Sequence, residues 1–228
     1  MNPLAKWNPI QQETKDAAQS GNASKLRDCL TRGADVLDRG LILSALESGD
    51  VATFQSILDF GVDINQEMDY SGTPLISALR YNHHALLEFL FAKGVGPNKG
   101  NWGHWLPPLS VAVRYTKDIK WVQRLLDAGA KIEGTGALHV AAFRGDLARM
   151  KFLLNHGADV NEITYFRVIA FLDYRTKEKP LHWAVAGGHL GAVRLLGRHD
   201  PDLTIQYEDV VTVIDRLDAF FAELAAAE

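Results

Sequence analysis

Cysteine is almost absent: Cys29 stands alone among 228 residues. A single thiol cannot close an internal disulfide, and cysteine-rich zinc sites are excluded with it. A reducing, intracellular compartment, cytoplasmic or nuclear, is the expectation. Long apolar runs are missing as well. No stretch of about 18 apolar residues occurs, so no membrane span is expected. Residues 1–19, MNPLAKWNPIQQETKDAAQ, lack the apolar centre of a secretory signal. There is no basic excess either. The net charge is −4, which weighs against a nucleic-acid backbone as partner. The local signatures of catalysis are also wanting: no HExxH, no GxSxG and no GxxxxGK[ST]. GVGPNKG at 94–100 has the glycines of a phosphate loop, but its proline and its place at a repeat end make it a turn. The 8 histidines are scattered without ligand spacing, so neither a metal nor a cofactor is expected.

What the chain does have is a folded composition and a repeat. Apolar residues make up 47% and charged residues 23%, which fits a packed protein rather than a disordered one. A glycine closes each of five leucine-rich runs: LTRGADV, LDFGVDI, FAKGVGPN, LDAGAKI and LNHGADVN. These glycines, Gly33, Gly61, Gly94, Gly129 and Gly157, recur at intervals of about 33 residues. In a sixth run, GRHDPDL, His199 is expected in the glycine's place. Each unit reads as a short helix, a polar or glycine break, and a second helix with apolar residues three and four apart, as in Leu147, Met150, Leu153 and Leu154. The closing glycines sit where a helix C-terminus favours a left-handed residue.

The segments PLHWA (180–184), ALHVAA (137–142), GTPLISA (72–78), GADVN (157–161) and GGH (187–189) resemble the ankyrin repeat over roughly residues 12–204. The likeness is strong in units three, five and six and weaker in one, two and four. Unit four has Pro107-Pro108 and one extra residue before its second helix. The resemblance implies an all-α fold: an ankyrin-repeat solenoid of about six helix-turn-helix units with short β-hairpin fingers. It also gives His139 and His182 a structural role, bonding backbone groups in neighbouring turns. Pro74, Pro108 and Pro180 suit helix starts. Ala78, Ala112, Ala141 and Ala184 allow neighbouring helices to approach closely. Cys29, Trp121 and Trp183 read as core.

A single repeat cannot bury its own apolar face, so the ends need covers. A single domain is expected over 1–228, with an N-terminal arm at 1–11 carrying Trp7. Val210, Val213, Ile214, Leu217, Phe220, Phe221 and Leu224 mark one face of a helix within 205–228, expected to cap the C-terminal end, with a dimer contact as the competing reading. The connectors are uneven. Those at 36–42 and 132–138 are too short for a full finger. The one at 161–180 carries an aromatic insertion at 162–178.

In ankyrin-like folds the concave face takes the two residues before each central break. Here these include Arg80-Tyr81, Arg114-Tyr115 and Phe143-Arg144. Neighbouring connectors add Tyr70, Trp102, His104 and Trp105, and the insertion adds Tyr165, Phe166 and Tyr174. Arginine offers a planar fork for carboxylate or phosphate, and aromatics give contact area at low entropy cost. Together they point to a non-catalytic, protein-binding scaffold that captures an acidic or phosphorylated segment of another protein. The alternative is a site for a small anionic or aromatic ligand, or an enzyme, in a pocket between this face and the insertion. The absence of catalytic motifs leans against an enzyme.

Overall fold

The computed structural model describes residues 9–101, 106–163 and 179–201. Within them every regular element is helical. The chain divides into two compact units, Met1–Gly103 and His104–Glu228. The first holds the pairs α1 (Pro9–Gln19) with α2 (Ala23–Thr31), α3 (Arg39–Ser48) with α4 (Val51–Asp59), and α5 (Pro74–Tyr81) with α6 (His84–Ala92). The second holds α7 (Pro108–Tyr115) with α8 (Lys120–Asp127), α9 (Ala137–Phe143) with α10 (Leu147–Asn155), and α11 (Pro180–Ala186) with α12 (Leu190–Gly197). In the first unit α1 packs on α3 and α3 on α5; in the second α7 packs on α9 and α9 on α11. Helix α1 begins at Pro9, earlier than the repeat register implies, because proline at the first helical position loses no hydrogen bond. Trp7 and the C-terminal segment expected to cap the repeats lie outside the described residues.

Local chemistry explains why the helices stop and restart where they do. Gly21, Gly49, Asn82, Gly145 and Gly188 turn the chain at φ of 68°, 68°, 57°, 63° and 72°. After three of these turns an Asx side chain caps the second helix: Asn22 accepts from the Lys25 N–H, Asp50 from Thr53 and Asp146 from Arg149. Such a cap satisfies a backbone donor that the helix leaves open. Asp50→Ala is accordingly expected to cost about 1 kcal/mol, read as a lower urea midpoint at unchanged slope. In unit four the extra residue changes the turn. Thr116 stays extended (ψ 146°), and Asp118 accepts from the Lys120 N–H instead.

The second helices end alike. The N–H of Gly33, Gly61, Gly94, Gly129 and Gly157 each returns to a carbonyl three residues back, and the following N–H to one five back, as in Gly157 to Leu154 (3.1 Å) and Ala158 to Leu153 (3.0 Å). This pairing consumes two carbonyls that the helix cannot satisfy and requires a left-handed residue. In the sixth unit that residue is Asp200, at φ 55°, and not His199. The buried Leu196 aligns with Leu153, so the register lies one residue later than the leucine pair suggests. Aspartate tolerates the left-handed region better than most side chains.

Alanine sets the packing distance between first helices. Ala45 and Ala78 in the first unit, and Ala112, Ala141 and Ala184 in the second, are all 0% exposed. Larger apolar side chains fill the space on either side: Phe54, Ile57, Leu75 and Leu86 in the first unit, Trp121, Leu125 and Leu153 in the second. Cys29 and Trp183 are buried, as expected.

The connectors show how the fold copes with missing fingers. Between α4 and α5 the chain forms a finger, residues 60–73, whose tip is the single turn Asp69–Ser71. It closes with Met68 N–H to Gly72 O (2.9 Å) and Ser71 N–H to Met68 O (2.9 Å). The expected β-hairpin is thus reduced to one turn, with no strand ladder. The connector 32–38 has half that length. Side chains replace its finger: Gln11 of α1 bonds both the carbonyl (3.0 Å) and the N–H (2.8 Å) of Asp35, and Lys15 pairs with Asp38 at 3.0 Å. Arg39 then bridges to Asp69. In the second unit the short connector 128–136 is held the same way. Ser110 of α7 donates to the Thr135 carbonyl, and Glu162 accepts from the Gly134 N–H.

Candidate functional site

Both Arg-Tyr pairs sit in the last turn of a first helix, where a basic side chain complements the helix dipole. In the first unit the Arg80 guanidinium lies 5.4 Å from the centre of the Tyr81 ring. Tyr81 is 41% exposed and donates its hydroxyl to the Glu47 carboxylate at 3.1 Å. It also stacks on His83 (5.6 Å, 30°), and a His83 ring nitrogen lies 3.0 Å from the Glu47 carbonyl. Burial and the bond to Glu47 push the phenol of Tyr81 up from its ordinary range. An acid at the end of α3 therefore already occupies part of this face, so the patch is amphoteric and not simply positive. Tyr70, at the finger tip beside Asp69, is 62% exposed.

In the second unit Arg114 lies 5.4 Å from the Tyr115 ring centre, and both are half-buried. On the adjoining α9, Phe143 is half-buried and meets the Trp183 ring edge-on at 6.2 Å. Arg144 is exposed. Its charge is felt at Asp146. There burial pushes the carboxyl up, but the hydrogen bonds from Arg149 and the charges of Arg149 and Arg144 outweigh it and leave the group lowered. Arg149 also donates to the Thr116 carbonyl at 2.8 Å, tying α10 to the irregular turn of unit four. The packing of α9 on α7 and α11 thus gathers Arg114, Tyr115, Phe143 and Arg144 on the ends of neighbouring first helices. Trp102, His104, Trp105, Tyr165, Phe166 and Tyr174 lie outside the described residues.

The structural histidines divide. His182 accepts from the Lys179 N–H at 3.0 Å, closing the first turn of its own helix. His139 is fully buried, 3.7 Å from the Glu162 carboxylate and 5.6 Å from the Trp183 ring. Sequence reasoning left two partnerships unread. Glu47 was visible at the right register but not as a partner of Tyr81. Glu162 has no periodic signal at all. Among the described residues no group of three His, Cys, Asp or Glu side chains could hold a metal, and no helix is long and apolar enough to cross a membrane.

Residues 108–207 match the family described as ankyrin repeats (3 copies). A solved structure, the human ASB11 ankyrin repeat domain, superposes with a TM-score of 0.63 at 21% identity, covering 89% of this chain and 88% of that one. At that identity the likeness is one of fold. No curated protein matches the chain.

Proposed function

We propose that the chain captures an acidic or phosphorylated segment of another protein, a reading supported by the match of residues 108–207 to ankyrin repeats, which generally serve as protein-binding scaffolds, and by the ankyrin-repeat fold. The observation that carries this reading is the second unit's pairing of a cation with an aromatic on successive first helices, Arg114 with Tyr115 and Phe143 with Arg144. The guanidinium groups hold the partner's anion, and the rings pack its apolar side chains. Within the first compact unit Arg80 and Tyr81 form a separate pair of the same kind, with Glu47 beside it. The half-buried Arg114, Tyr115 and Phe143 beside the exposed Arg144 suit a partner held by a few strong contacts.

The test is selection by the full chain from a random peptide library containing glutamate and phosphoserine. Enrichment of acidic or phosphorylated peptides is expected. An Arg114→Ala/Arg144→Ala variant should bind the selected peptides at least about a hundredfold more weakly, since it loses two charge-assisted bonds of about 1.5–3 kcal/mol each. Enrichment of basic peptides, or unchanged affinity in the variant, would count against the assignment.

A further inference from the structure

Glu162 lies in an unusual setting. Its side chain is only 12% exposed, and it sits between two connectors of the second unit. One carboxylate oxygen, Oε1, accepts the Gly134 N–H across 28 residues of chain. The other, Oε2, faces the Nδ1 of the fully buried His139 at 3.7 Å. Gly134 and Gly136 both adopt positive φ, 74° and 64°, which turns this short connector toward Glu162. The charged groups around it are mostly of its own sign. Glu133 precedes Gly134 on one connector and Asp159 lies on the other, while the cation of the first connector, Lys131, is exposed.

We propose that Glu162 is a proton-operated latch: with a proton on Oε2 it closes connector 159–163 onto connector 133–136, and its ionisation loosens that contact. The proton comes from solvent and lodges on the oxygen facing His139, so Oε1 keeps its lone pairs for the Gly134 N–H. Loss of the proton places a negative charge in a largely buried site beside Glu133 and Asp159, where the N–H groups of Gly134 and Gly136 offset only part of its cost. Burial, the first cause, and the repulsion of the two neighbouring acids outweigh the backbone bonds from Gly134 and Gly136 and hold the carboxyl above its ordinary value of 4.5. A group raised in the closed form stabilises that form fully below its value in the open form. The stabilisation disappears as pH rises through the raised value. The latch therefore loosens upward from pH 4.5.

Amide hydrogen exchange at Gly134, expressed as protection relative to the unstructured rate, reads this opening directly. In the full chain, protection should fall by up to about tenfold per pH unit between the open-form and closed-form values of Glu162. Glu162→Gln keeps the acceptor without the charge, and should stay protected across that range with no slope. Glu162→Ala should leave Gly134 unprotected throughout. Glu133→Gln and Asp159→Asn should each narrow the range over which protection falls, an effect that a purely structural role for Glu162 would not produce. Protection in the natural chain that does not change with pH, or a Glu162→Gln variant with the natural slope, overturns the latch.

Discussion

Trp121→Ala is expected to lower stability by about 3–5 kcal/mol, the largest loss for any single change considered. Trp121 is 0% exposed on α8, among the described residues the one second helix whose lead-in turn carries an extra residue and lacks a left-handed hinge. With Val122 and Leu125 it forms the whole buried face of that eight-residue helix. The Lys120 ammonium lies over the ring, 4.5 Å from its centre, so truncation also removes a cation–π contact. A helix this short has little stability of its own and depends on the face it buries. Against a typical total of about 5–15 kcal/mol the loss is severe. Urea unfolding followed by far-ultraviolet circular dichroism measures it, which avoids reporting through tryptophan emission. A loss below about 1 kcal/mol would mean that Trp121 is not packed as described.

Gly145→Ala is expected to cost about 2–5 kcal/mol for two separable reasons. The residue holds φ at 63°, where a Cβ costs about 1–2 kcal/mol. A Cβ there would also stand 2.5 Å from the ring of His189, which begins the second helix of the next repeat. Gly49 meets His83 in the same way at 2.6 Å, so the close approach is a feature of the stacking and not of one turn. Overlap of this kind costs about 1–3 kcal/mol more unless the ring can move. His189→Ala in the same chain should recover the overlap part and leave the backbone part. The two changes should therefore be less than additive. Additive losses in a double-mutant cycle would show that His189 does not rest on Gly145.

How much of this was legible in the chain varies by residue. The closing glycines and the turn at Gly145 were readable because only glycine takes those dihedral angles cheaply, so the constraint is written in residue identity. Burial of Trp121 and Cys29 followed from helical spacing. The sixth closing turn was misplaced by one residue. Neither His199 nor Asp200 is a glycine, and the leucine pair before them slips relative to its counterparts. The Arg-aromatic pairs were readable in register, but the bond from Tyr81 to Glu47 was not, since it spans 34 residues and leaves no local pattern.

The sequence by itself determined the repeat, its helix pairs, the hinge glycines and the alanine rows, because each answers to a local rule of backbone geometry or side-chain period. Only the tertiary structure decided how the short connectors are fastened: Gln11 on Asp35, Ser110 on Thr135, and Glu162 on Gly134. Those bonds join residues 24, 25 and 28 positions apart, and a polar side chain carries no mark of which distant backbone group it will meet. Partner choice of that kind is set by packing, which brings the groups within reach and removes the water that would otherwise satisfy them.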